Sequence, residues 1–206
     1  AALLEMLQAD FNADDLAWAQ EIGDALLESF HDTKDGGFFF TSHDHERLIH
    51  RPKPGHDNAT PSGNGIAAWA LNRLAFLTGE MRYQKAGESA LALYWPAIKR
   101  NPAGFASLLA MLEETLSPPR VVIVNGPGKP LAAWKEALRT AYLPDALVLF
   151  IPTGTANLPP VLAKPAGAEV NAWVCEGVTC LAPIGQLGAL HETLKVPKIA
   201  ASRSHS

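Results

Sequence analysis

Ser117-Pro118-Pro119-Arg120-Val121-Val122-Ile123-Val124 is where the chain changes from one structural pattern to another. Successive prolines cannot continue a helix, and each pushes the residue before it towards extended backbone. The apolar, β-branched run that follows reads as a strand buried on both faces. Beyond it, residues 131–142 have helical spacing and residues 146–151 form a second apolar run, so the unit reads as β-α-β. A Pro-rich connector, a strand over 171–175, a turn at Glu176-Gly177, a second short strand and a helix over 186–194 follow, and 200–206 are expected to fray.

Upstream the pattern is helical. Asn12-Ala13-Asp14-Asp15 opens a run in which Leu16, Ala19, Ile22, Leu26, Leu27 and Phe30 recur at helical spacing, with acids where the helix dipole favours them. This predicts a helix over 13–30. Asp35-Gly36-Gly37 ends it, and residues 38–41 have extended character. A helix over 66–77 stops at Thr78-Gly79, and one over 83–95 follows closely enough to form an antiparallel hairpin with it. Residues 105–116 supply a fourth helix. The expected fold class is α plus α/β: helical hairpins over 1–117 and a small α/β module over 118–206.

At 206 residues, 48% hydrophobic and 18% charged, the chain can bury one large or two small cores, so disorder is not expected. A formal charge of -4 without long single-sign blocks gives no reason to expect nucleic acid or an anionic membrane as partner. No apolar run is long enough for a spanning helix. Ala1-Ala2-Leu3-Leu4 lacks the basic flank and long apolar region of an attached signal peptide, which favours a cytoplasmic location. The absent initiating Met and the helix-favouring start lead to the expectation of a fragment or processed product.

Cys175 and Cys180 are not spaced as a Cys-x-x-Cys redox motif, and two thiols alone make no zinc site. A disulfide across a tight hairpin is geometrically conceivable. Buried free thiols in a reducing compartment are the expectation.

The candidate site is the loop over 51–65, Arg-Pro-Lys-Pro-Gly-His-Asp-Asn-Ala-Thr-Pro-Ser-Gly-Asn-Gly. Three prolines stiffen it, and Arg51, Lys53, Asn58, Ser62 and Asn64 offer donors and acceptors for a small polar ligand. Asp57 is its single carboxylate, a candidate acid/base or hydroxyl-orienting group. The plainer alternative is a surface loop that caps the following helix, with Ser62 at or near the N-cap.

Other motifs carry less. Asn125-Gly126-Pro127-Gly128-Lys129-Pro130 meets neither the dinucleotide fingerprint nor the Walker A spacing and reads as a strand-to-helix turn. His43-Asp44-His45-Glu46 lacks a third ligand at a diagnostic spacing, so neither metal nor cofactor is expected. No Gly-x-Ser-x-Gly elbow surrounds Ser62. Trp69 is expected in the core rather than under a sugar ring.

Asp35-Gly-Gly-Phe-Phe, Arg51-Pro-Lys, Asp57-Asn-Ala-Thr-Pro-Ser-Gly-Asn, Thr78-Gly-Glu, Pro118-Pro-Arg-Val-Val-Ile-Val, Tyr142-Leu-Pro and Ala172-Trp-Val-Cys-Glu-Gly-Val-Thr-Cys together resemble one family over residues 10–195. It is the thioredoxin-domain-containing YyaL / spermatogenesis-associated protein family. The resemblance implies a C-terminal region whose parent carries a thioredoxin-like domain and earlier hairpins of an alpha/alpha toroid, similar to six-hairpin glycosidases and sugar 2-epimerases. It would place Asp57, Asn58, Ser62 and Asn64 on a central cavity that takes a sugar ligand, with Arg51 and Lys53 as anchors for an anionic group. A homodimer through the exposed toroid face is a further expectation. The rival expectation is a non-catalytic module that binds a protein partner and positions the thioredoxin-like domain, with the loop as a rigid joint whose polar groups are satisfied by the chain itself.

Overall fold

The structure, a computed structural model, describes residues 1–46, 48–165, 167–177 and 179–195. The expected fraying of 200–206 lies outside the described residues. Five α-helices come first: α1 (Ala2–Ala9), α2 (Ala13–Ser29), α3 (Gly63–Thr78), α4 (Met81–Ile98) and, after a 3-10 turn at Pro102–Phe105, α5 (Ala106–Leu116). Then come β1 (Arg120–Gly126), α6 (Gly128–Leu138), β2 (Ala146–Pro152), β3 (Asn171–Glu176), β4 (Thr179–Cys180) and α7 (Leu187–Lys195). This is a mixed helix-and-sheet architecture, as expected in outline.

Local chemistry sets the ends. The Asn12 side chain accepts the Asp14 N–H at 2.9 Å and starts α2. Ser62 Oγ accepts the Gly65 N–H at 3.0 Å and starts α3, while Gly79, at φ +79°, closes it in the left-handed conformation. Several sequence boundaries shift: α3 begins at Gly63 rather than 66 and α4 at Met81 rather than 83. α4 runs through Pro96 to Ile98, beyond the expected 95, because a proline in the last turn disrupts little of the helix that precedes it. α6 begins at Gly128 and stops at Leu138, before the expected 142; Pro130 is tolerated in a first turn, where the N–H groups have no partners within the helix. The extended segment 38–41 forms no strand; it holds one bridge, Phe38 to His31.

The sheet has the order β2-β1-β3-β4. β1 pairs parallel with β2, α6 making the crossover, and antiparallel with β3; β3 turns at Gly177 into β4. The continuous apolar reading of β1 has a physical basis, since every residue of that strand is buried. Val121 and Ile123, with Leu147, Leu149, Ile151 and Trp173, join Leu7, Leu71, Leu77, Leu108 and Met111 of the helices in one cluster. Val122 and Val124, with Phe150 and Val174, pack against Leu131 and Leu138 of α6 and Leu190 and Leu194 of α7. The sheet therefore lies between two layers of helix, and the core beneath α1–α5 continues onto it.

The expectation for the cysteines is corrected. Cys175 and Cys180 are directly opposite in the β3–β4 register and joined by a disulfide, S–S 2.04 Å. Spacing alone does not reveal that the turn at Gly177 brings their side chains to one face. Among the described residues no helix is long and apolar enough to cross a membrane.

The shared core generates a prediction. Leu149→Ala empties a fully buried site on the sheet and should cost about 2–5 kcal/mol. Followed by far-UV circular dichroism in urea, the helical signal should be lost in a single transition moved to lower urea. Two separated transitions, with only the smaller one moved, would show that sheet and helices unfold independently.

Candidate functional site

Asp57 joins the starts of two helices. Its Oδ1 accepts the Ser62 N–H at 2.7 Å, at the cap of α3, and the Ser107 hydroxyl at 2.6 Å; Oδ2 accepts the Ser107 N–H at 2.8 Å, in the first turn of α5. Both helix ends carry unpaired N–H groups and partial positive charge, so an anion is favoured between them. Burial alone would raise the Asp57 carboxyl; the hydrogen bonds from Ser107 and Ser62 outweigh it and hold the group below the usual carboxylate range. Gly65 is required here, because a Cβ would overlap Ser107 Oγ.

Asn64 is 2% exposed and has three partners. Its Oδ1 accepts the Phe38 N–H at 2.6 Å, and its Nδ2 donates to the Phe38 carbonyl at 2.9 Å and the Pro54 carbonyl at 3.0 Å. One side chain thus replaces a strand partner for the extended segment and ties it to the loop. Tyr94 of α4 closes the other side: its hydroxyl donates to the Lys53 carbonyl at 2.6 Å, and its ring occupies the space a Cβ on Gly55 would need.

The two basic residues point back into the chain. Lys53 Nζ donates to Asp32 Oδ2 at 2.6 Å and to the Gly36 carbonyl at 2.9 Å. The Asp32 Oδ1 also accepts the Lys34 and Asp35 N–H groups, so it organises the turn after α2. Arg51 donates to the Thr41 carbonyl at 2.6 Å and to His43 Nδ1 at 3.2 Å, with its guanidinium 4.1 Å above the Phe39 ring. Asn58 is exposed, its Oδ1 accepting the Ala59 N–H at 2.9 Å.

The six sequence-derived residues therefore lie on the loop and the first turn of α3 that it leads into, where Asn64 already belongs to the helix, and five of them hydrogen-bond to other parts of the chain. The partners missed by sequence reasoning are Asp32, Tyr94 and Ser107. Asp32 had a signal, an Asp three residues ahead of the Asp35-Gly36-Gly37 turn, and Ser107 had a weaker one as a hydroxyl in the first turn of α5. Tyr94 had none. Trp69, expected in the core, is half-buried and packs against the core's edge: its Nε1 donates to Glu114 at 3.0 Å, and the Arg73 guanidinium covers its ring at 4.1 Å. Among the described residues no group of three or more His, Cys, Asp or Glu is arranged to hold a metal. Two surface pockets, one bounded by Leu3, Ile22, Leu26 and Leu74 and the other by Leu138, Tyr142 and His191, include no residue of 51–65.

No family model matches the chain. It is similar to human spermatogenesis-associated protein 20, 24% identical over 191 residues, which cover 88% of this chain and 24% of that protein. The rat and mouse proteins of that name are each 26% identical over 152 residues, covering 71% of this chain and 19% of theirs. These matches support a relationship to that family and nothing finer. The chain spans about a quarter of the length of the human relative it matches.

The turn after α2 should respond to acid in a defined window. The hydrogen bond from Lys53 lowers the Asp32 carboxyl from 3.8 to about 2. Because the folded value lies below the unfolded one, its stabilisation is complete above about pH 4 and disappears as pH falls through about 2. Comparing parent and Asp32→Asn by thermal melting should give a difference that is constant from pH 7 to about 5 and shrinks between about pH 4 and 2. A difference independent of pH across that range would remove the ion pair as its cause.

Proposed function

We propose that this chain is a non-catalytic portion of a longer protein related to spermatogenesis-associated protein 20, and that the loop over 51–65 is a rigid joint between its helices. The observation that carries this reading is the occupancy of Asp57. Three of the about four acceptor positions of a carboxylate are filled by the chain's own Ser62 and Ser107. A carboxyl held ionised in this way is a poor general acid and a weak base. In the proposed parent, the helical layer belongs to an alpha/alpha toroid, and the module positions a thioredoxin-like domain by contact with it. An apolar contact surface agrees with such a role: Trp18 and Ile22, one turn apart on α2, are 55% and 43% exposed, and Ile22 borders the pocket that also contains Leu3, Leu26 and Leu74.

The carbohydrate reading retains one support, the exposed Asn58 beside a half-buried Asp57 at the loop surface. One experiment separates the two. If the loop is a joint, Asp57→Asn should lose about 2 kcal/mol, because a charged acceptor is replaced where two N–H groups and a hydroxyl need one. That corresponds to a melting temperature lower by about 4–8 °C for a chain of this size. A panel of neutral, uronic and phosphorylated sugars should leave the parent's melting temperature unchanged. A sugar that stabilises the parent but not an equally stable Asp57→Asn variant would reverse the assignment and make the loop a ligand site.

A further inference from the structure

The two sulfurs of the Cys175–Cys180 bridge have different surroundings. Cys175 is 4% exposed, in the core between sheet and helices, whereas Cys180 ends the two-residue edge strand β4 and is only partly buried. Lys164, from the connector that leads to β3, places Nζ 3.4 Å from Cys180 Sγ. Among the described residues Lys164 forms no salt bridge, so the sulfur is beside a cation not neutralised by a carboxylate within ion-pair distance. A disulfide sulfur is a weak acceptor and gains little from an ammonium group, while a thiolate gains a full charge interaction. The lysine therefore favours the reduced state over the oxidised one, the arrangement that makes a cysteine reactive.

We propose that the Cys175–Cys180 bridge is a thiol-exchange site that accepts two electrons from a dithiol, with Lys164 as the cation that holds the Cys180 thiolate. A thiolate of the dithiol attacks the accessible Cys180 Sγ, and the Cys175–Cys180 bond breaks. Cys175 leaves with the electron pair and takes a proton from water, and a mixed disulfide remains on Cys180. The second thiol of the dithiol, deprotonated, attacks its partner sulfur in that mixed disulfide. Cys180 departs as a thiolate beside Lys164, and the dithiol is released as its own cyclic disulfide. The protein gains two electrons and the dithiol loses two. Exposure at the sheet edge selects the sulfur that is attacked, and the lysine favours the thiolate that is released.

Dithiothreitol is the probe. The chain is equilibrated in buffers of fixed reduced-to-oxidised dithiothreitol ratio, free thiols are trapped by alkylation and counted by mass, and far-UV circular dichroism is recorded on the same samples. The parent's bridge should open with the fold intact. Lys164→Met should need about a tenfold higher reduced-to-oxidised ratio for half reduction, equivalent to a potential lower by about 30 mV for a two-electron couple. Lys164→Arg should restore the parent's ratio. In the reduced parent, Cys180 should alkylate at lower pH than in reduced Lys164→Met, a readout that a merely structural lysine would not move. Equal ratios for parent and Lys164→Met, or opening that coincides with loss of the circular dichroism signal, would overturn the proposal.

Discussion

A carboxylate shared by two helix N-termini is the constraint on which the helical half is built. Asp57 is close in sequence to Ser62 but distant from Ser107, and by binding both it fixes where α3 and α5 begin relative to each other. The cost of partly burying a charge is offset by two N–H groups and a hydroxyl aimed at it. The surrounding features follow from that placement. Gly65 has to be glycine because the Ser107 hydroxyl fills its side-chain space, and Gly55 has to be glycine because the Tyr94 ring does the same. Asn64, one residue from Gly65, then faces Phe38 and Pro54 and completes their backbone bonding without a strand.

The elements were legible where periodicity or proline punctuation speaks locally. The double proline at 118–119, the apolar β1, the start of α2 after Asn12 and the glycine stop at Gly79 all act within a few residues, and the structure has them where the sequence predicts; Ser62 caps α3 as the plainer reading of the loop had it. The end of α6 and the extension of α4 were not legible, because the last turn of a helix is decided by packing as much as by residue preference. The cysteine pairing failed for a related reason: opposition across a hairpin depends on register, which a count of intervening residues leaves open.

The loop itself was located from sequence, but its occupation was not. A polar side chain kept for a ligand and one kept for a distant carbonyl have the same sequence signature. Lys53 and Arg51 read as anchors for an anion, and the structure gives them internal partners at Asp32, Gly36 and Thr41 that no local pattern announces. The partners of Asp57 and Asn64 lie as far as 50 and 26 residues away, beyond any local pattern. Against this braced half stands the edge of the sheet, where the disulfide and Lys164 bring a bond that can be broken next to a charge that can stabilise the product. The two regions divide the molecule into a part whose polar groups hold shape and a part whose chemistry can change.

The most direct measurement is a double-mutant cycle between Asp57 and Ser107, using Asp57→Asn, Ser107→Ala and the pair, each unfolded in urea. If the carboxylate is the internal fastener described here, the two substitutions should be non-additive, with a coupling energy of about 1–2 kcal/mol. Additive effects, with coupling within error of zero, would contradict the account and free Asp57 for a ligand.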